Sequence, residues 1–339
     1  MNFVWLLFGV FVSSWSLTLV LRRYALVKSL VDVPNDRSSH TVPTPRGGGV
    51  AIVLSFGLAL SLVASQGKVA QEDVYGLLGA GLLIALVGFV DDHGHIAAKW
   101  RLLCHFSASS WALFWMGGLP PIVVLDVPLS LGWLGSIVAA IYMVWMLNLY
   151  NFMDGIDGLA SAQAVTICLA MSLLCWFSGD VQLIPSLLLL AVAVCGFLCW
   201  NFPPARIFMG DAGSGFLGIV LAFMSLEAAW VNPRLLWCWL ILLGVFIVDA
   251  TWTLVRRLIR GEKIYEAHRS HAYQNAALIY SSHRAVTLGV VVINICWLLP
   301  LALMVASGHV PGLAALVISY LPLLGLSWHF NGGGERRLE

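Results

Sequence analysis

Charge is scarce in this chain: only 10% of its 339 residues are Asp, Glu, Lys or Arg, against 60% hydrophobic residues. A mean hydropathy of +0.89 excludes an ordinary soluble domain. The formal net charge of +1 carries no signal for a nucleic-acid partner, and none is expected. Cysteine offers little. There are seven, an odd number, all in apolar runs and with no CxxC pair. They read as buried thiols, neither disulfides nor metal ligands. Cys195 and Cys199 share a helix face with nothing else metal-like beside them. No repeat of fixed period is apparent. No basic residue precedes the first apolar run, and Arg22, Arg23 and Lys28 follow it. A cleavable signal peptide has the opposite charge order and a shorter core, so this run is an uncleaved helix with its N-terminus outside.

Apolar runs are what the chain has in abundance. They fall at about 3–21, 49–65, 74–90, 102–118, 133–149, 160–177, 183–200, 214–231, 235–255, 286–306 and 311–329. The expectation is an all-α polytopic membrane protein of about 11 transmembrane helices, one domain over residues 1–339. PPIVVLDVPLSLG, between the fourth and fifth runs, has short β-like stretches and reads as an external hairpin. With the N-terminus outside, 16 of the 18 basic residues fall on one side, and only Lys68 and Arg234 on the other. The positive-inside rule makes the 16-residue side cytoplasmic and places the C-terminus there.

Residues 148–160 read NLYNFMDGIDGLA, between two runs of membrane character. Charges at such a depth are costly and usually face a functional cavity. Asn151, Asp154 and Asp157 are spaced by three, so on a continuing helix they would share one broad face. The other polar motifs fall on the same side: the PTPRGGG loop with Arg46, the pair Asp91-Asp92, FMGDAGSG with Asp211, and EAHRSHAYQ with His268 and His271. A transporter would place polar groups near the midplane and reach both faces. Polar groups at one set of helix ends suit an enzyme that joins a soluble cytoplasmic substrate to a lipid one. Clustered carboxylates need a cation, and carboxylate and amide oxygens suit Mg²⁺, with Mn²⁺ the alternative. Arg46, Lys99 and Arg206 suit an anionic substrate. Adjacent Asp91 and Asp92 point about 100° apart on a helix and so have different tasks. The start of the eighth span would offer free N–H groups to phosphate. His268 and His271 lack a third zinc ligand in the sequence, which leaves phosphate or sugar contacts, or ordinary polar loop histidines. Asp249, inside the ninth run with no neighbour to pair with, is expected to face the interior.

HTVPTPRGGG, GFVDDHGHI, NLYNFMDGIDGLA and NFPPARIFMGDAGS together resemble the polyprenyl-phosphate N-acetylhexosamine-1-phosphate transferases, most closely the O-antigen-initiating branch. The match covers nearly the whole chain, and NxxNxxDGIDGLA is its most specific part. Two departures stand out: His95 where many relatives have a third acidic residue, and HRSHAYQ where many have a run such as HIHH. The resemblance implies an enzyme of the bacterial inner membrane. Undecaprenyl phosphate attacks a UDP-N-acetylhexosamine, UMP leaves, and a lipid-linked glycan such as O-antigen lipopolysaccharide begins. It implies Mg²⁺ on Asp211 with Asn151 beside it, and catalytic roles for Asp91, Asp92 and Asp211. Substrate contacts would come from Arg46, Asp154, Asp157, His268 and His271, and a homodimer is a further expectation. Asp91 matches the residue proposed in the family as base toward the lipid phosphate. A phosphate monoester has its second pKa near 6 and is mostly ionised at pH 7, so orienting the nucleophile is the favoured role. A CDP-alcohol phosphatidyltransferase is set aside because Gly158 is followed by LASAQA and not Ala-Arg. A flippase or transporter of a polyprenyl-linked or anionic substrate is the rival from another class.

Overall fold

A computed structural model describes residues 2–34, 39, 42–94, 96–124, 127–262 and 268–334. Arg37, His95, Lys263, Arg336 and Arg337, on which parts of the sequence reading rest, lie outside these residues. The described chain is helical almost throughout. In order come α1 (Phe3–Val27), α2 (Val50–Ser65), α3 (Gln71–His93), α4 (Ala98–Met116), α5 (Gly132–Phe152), α6 (Leu159–Ser178) and α7 (Ile184–Asn201). Then follow α8 (Asp211–Val231), α9 (Pro233–Leu242), α10 (Gly244–Ile259), α11 (Ala272–Ile279), α12 (His283–Ile293), α13 (Leu299–Ala306) and α14 (Gly312–His329). Two small antiparallel pairs complete it. β1 (Val31–Asp32) pairs with β2 (Thr44–Pro45), and β3 (Ile122–Val124) pairs with β4 (Val127–Leu129) as the expected hairpin.

Local chemistry sets several of these ends. The Asn2 side chain accepts the Val4 N–H at 3.1 Å to open α1. Ser282 does the same for Ala285 at the start of α12, also at 3.1 Å. Gly117, at φ +84°, closes α4 in the left-handed conformation.

The central helix is α8, in which every residue from Ala212 to Leu226 is buried. Helices α3 and α5 pack along it, while α6 and α1 pack on α7 further out. Small residues allow close approach between helices that gain nothing from water exclusion in a bilayer. At Gly88 of α3 an added Cβ would lie 2.5 Å from the Asp211 backbone, so the end of α3 sits directly on the start of α8. Outward-facing side chains such as Phe114, Trp133 and Leu58 are 77%, 74% and 73% exposed, an apolar exterior suited to lipid.

The eleven apolar runs correspond to eleven helical segments, yet fewer pass as spans on length and composition. Among the described residues eight helices qualify, or nine if α9 and α10 form one span bent by 66°. Helix α2 is apolar but only 16 residues long, and α4 is diluted by Lys99, Arg101 and His105. The ninth run was read as a single span. It breaks at Leu243, where the Tyr320 ring packs against Gly244. The tenth contains a π-helical turn, Asn294–Leu298, directly before Pro300, which has no N–H to continue the regular ladder.

Candidate active site

The C-terminal ends of α3, α5 and α7 and the N-terminal ends of α8, α11 and α12 converge on a cavity of about 420 Å³. Asp92, Asp154, Asp157, Asp211, Asn151, Arg46, Gln274 and His283 line it. Two motif loops build its wall by pairing backbones. Phe208 N donates to Pro45 O at 2.8 Å, Gly48 N to Phe208 O at 3.0 Å, and Gly49 N to Met209 O at 2.8 Å. PTPRGGG and IFMGDAGS, far apart in sequence, thus form one ledge in front of α8.

Asp91 and Asp92 point to different partners. Asp91 Oδ1 accepts the Ile96 N–H at 2.7 Å, and Oδ2 accepts from Arg101 at 2.5 Å. Asp92 turns the other way and is buried. Its two oxygens accept the N–H groups of Asp211 at 3.2 Å and Ala212 at 3.4 Å, the first orphan donors of α8. The expectation that these N–H groups wait for phosphate is therefore corrected: Asp92 already satisfies them. Gly210 makes this possible. It has φ +76°, and a Cβ there would lie 2.6 Å from Asp92 Oδ2. Arg46 donates to the Asp92 carbonyl and so is tied to the same corner.

Asp211, the first residue of α8, points its carboxylate outward. Asn151 Nδ2 donates to Asp211 Oδ1 at 3.0 Å and to Ser214 Oγ at 2.9 Å, and Arg101 reaches Oδ2 at 3.5 Å. Asn151, expected as a metal ligand, thus holds Asp211 through its nitrogen and leaves only Oδ1 for a cation.

The helical face expected for Asn151, Asp154 and Asp157 is not formed. Helix α5 stops at Phe152, and residues 153–158 turn into α6, with Gly158 at φ +72°. The turn separates the two carboxylates. Asp157 Oδ2 accepts the Ala205 N–H at 3.0 Å, and its Oδ1 lies 3.2 Å from His283 Nδ1. The Asp154 carboxylate meets no hydrogen-bond donor among the described residues. Burial, then the charges of Asp211, Asp92 and Asp157, hold its pKa well above the usual carboxylate range.

This excess of hard, negative oxygen fits Mg²⁺. No three His, Cys, Asp or Glu side chains among the described residues form a ready-made metal cage. A divalent ion here would take Asp211 and Asp154 from the protein, with water and substrate phosphate oxygens completing the shell, the habit of Mg²⁺.

His268 and His271 do not line this cavity. His271 is buried with Nδ1 3.3 Å from Asp249 Oδ1. The two imidazoles stack with centroids 4.9 Å apart. Burial, then His271 and Arg257, push the His268 pKa down to about 3, which keeps that ring neutral. Lys99 and Arg206 also lie away from it, over the Trp100 and Trp200 rings. Sequence reasoning missed His283 and Gln274, which line it, and Arg101, which reaches Asp211 from beside it. His283 begins α12, with Nε2 3.0 Å from the Ser39 carbonyl. It borders a second cavity of about 590 Å³, which shares Ser39, Asp157 and Phe208 with the first and adds Arg269 and Arg284.

Carboxylates, arginines and a histidine around one opening, at one end of a bundle of membrane-length helices, define a class of integral-membrane enzyme for phosphate transfer. Residues 74–229 match the family model described as glycosyl transferase family 4. The chain is 32% identical over 295 residues to the decaprenyl-phosphate N-acetylglucosaminephosphotransferase of Mycobacterium leprae, covering 76% of this chain and 72% of that one. It is 29% identical to a probable undecaprenyl-phosphate N-acetylglucosaminyl 1-phosphate transferase of Bacillus subtilis, over 82% of this chain and 78% of the relative. A phospho-N-acetylmuramoyl-pentapeptide-transferase of Moorella thermoacetica is 30% identical over 54% of this chain and 61% of its own. The chain belongs to glycosyl transferase family 4 and is a phosphoglycosyltransferase.

Proposed function

We propose that the protein transfers an N-acetylhexosamine 1-phosphate from a UDP-sugar to undecaprenyl phosphate, releasing UMP. The product would start a lipid-linked glycan, of which O-antigen is one. The observation that carries the reading is one cavity lined by Asp154 and Asp211 together with Arg46 and His283. Carboxylates alone would repel a diphosphate, and cations alone would not account for the Asp154 carboxylate, which faces the cavity without a donor among the described residues. A lipid-phosphate oxygen attacks the β-phosphorus of the donor. The bond from that phosphorus to the bridging oxygen breaks, and UMP leaves with the oxygen. Bound Mg²⁺ would supply charge neutralisation between the two phosphates, held by Asp211 and Asp154. Arg46 binds donor phosphate, Asp91 with Arg101 orients the nucleophile, and Asp92 fixes the start of α8 so that Asp211 faces the cavity. The site would face the cytoplasm of a bacterial inner membrane, with the N-terminus outside.

The test uses membrane vesicles of both orientations, polyprenyl phosphate and a panel of UDP-sugars. Product should form from a UDP-N-acetylhexosamine when the cytoplasmic face is accessible, and UDP-N-acetylglucosamine is the first donor to try. Sealed vesicles of the opposite orientation should make none. Donor carried unchanged across the membrane would replace this reading with a transporter.

A further inference from the structure

Asp249 lies within α10 yet is buried, and no step above uses it. A carboxylate at that depth is expensive unless fully occupied. Its partners come mainly from another element. Asp249 Oδ1 accepts the Ala272 N–H at 2.9 Å, and Oδ2 accepts the Tyr273 N–H at 2.8 Å. Thr253 Oγ1 donates to it at 3.2 Å, and His271 Nδ1 lies 3.3 Å away. Asp249 therefore caps α11 from outside, satisfying the N–H groups of Ala272 and Tyr273, while Gln274 Oε1 accepts the His271 N–H at 3.3 Å.

The first turn of α11 touches the cavity. Tyr273 Oη donates to the Phe152 carbonyl at 2.9 Å, at the last residue of α5. At Gly155 an added Cβ would come 2.1 Å from that hydroxyl and 2.9 Å from Gln274 Nε2. The turn bearing Asp154 is thus pressed between the end of α5 and two side chains whose helix stands on Asp249.

We propose that Asp249 is a positioning residue for the reaction: it seats α11 so that Tyr273 and Gln274 hold the Asp154–Gly155 turn in register with Asp211. The inference rests on the reading of this cavity as the active site. It also explains why a charge is kept deep in α10, since no neutral side chain of that size can accept two N–H groups on two anionic oxygens.

The experiment is a double-mutant cycle with Asp249→Asn and Tyr273→Phe in the full-length protein, read in two ways. Hydrogen exchange on the substrate-free protein should show faster exchange in residues 153–158 and 272–276 for both variants, with α8 unchanged. That readout does not depend on which reaction the enzyme performs. The kcat should fall about tenfold or more for Asp249→Asn and less for Tyr273→Phe, with donor KM little changed. The double variant should lose no more than the worse single one, because both act through the same turn. Asp249→Glu should recover part of the loss by keeping the charge. Losses that multiply, or exchange that rises throughout the bundle, would mean a general structural role and overturn the proposal. Unchanged exchange at 153–158 would overturn it too, whatever the activity. Where Asp249→Asn fails to fold, Tyr273→Phe alone decides through the same exchange segments.

Discussion

Asp211→Asn is expected to fold normally and to lose turnover by about two to three orders of magnitude or more, the scale seen when an electrostatic group at a reaction centre is removed. The substitution preserves shape. Asn151 can still donate to the remaining side-chain oxygen, and the cap of α8 by Asp92 is untouched. The negative charge at the helix N-terminus is lost, a term of about 0.3–1 kcal/mol for stability. The large effect comes from the cation: an amide oxygen offers no charge to Mg²⁺, and Asp154 is left as the anionic ligand. Steady-state kcat measured across a Mg²⁺ titration, with a melting curve as control, checks this. Near-normal kcat with the same Mg²⁺ dependence removes Asp211 from the cation site.

The second large effect concerns Asp91. Both its oxygens are engaged, by Ile96 N and by Arg101, which leaves it poorly placed to collect a proton from a lipid phosphate. That phosphate, with a second pKa of about 6, is already mostly dianionic at neutral pH. Asp91→Asn should therefore lower kcat by about tenfold to a hundredfold, and by nearly the same factor from about pH 5.5 to 9. The physical cause is Arg101. Without its partner at 2.5 Å it is free to close on Asp211, now 3.5 Å away, and to compete there with a cation. If Asp91 is instead the base, activity should recover above about pH 7, where the nucleophile ionises unaided. A pH–rate profile at saturating Mg²⁺ separates the outcomes. A clear alkaline rescue that Asp92→Asn lacks would assign Asp91 the base role.

Much of the fold was legible because hydropathy is a local signal. Each apolar run is helical, though the ninth and tenth are broken, β3 pairs with β4, and Asp249 faces the interior. Half-legible features were those where a local rule met a tertiary decision. The spacing of Asn151, Asp154 and Asp157 satisfies a helix, but the helix ends at Phe152, where Tyr273 takes the carbonyl. Free N–H groups at the start of α8 were a fair inference from helix geometry, and only the packing of α3 against Gly210 shows that Asp92 fills them. Arg101, Gln274 and His283 were invisible for a plainer reason. Each is an ordinary residue near a helix end, and nothing local distinguishes Arg101 from Lys99, which turns away over Trp100. The one available hint was the SHR sequence at 282–284, a Ser N-cap that fixes the first turn of α12 and aims His283 at Asp157.

The central claim is that the acidic cavity performs phosphosugar transfer from a nucleotide to a lipid phosphate. The most direct measurement is the nucleotide released by purified protein given UDP-N-acetylglucosamine, polyprenyl phosphate and Mg²⁺. The account predicts UMP, one per lipid diphosphosugar formed, dependent on the acceptor and abolished by chelation. Release of UDP, or UMP formed equally well without polyprenyl phosphate, would contradict it.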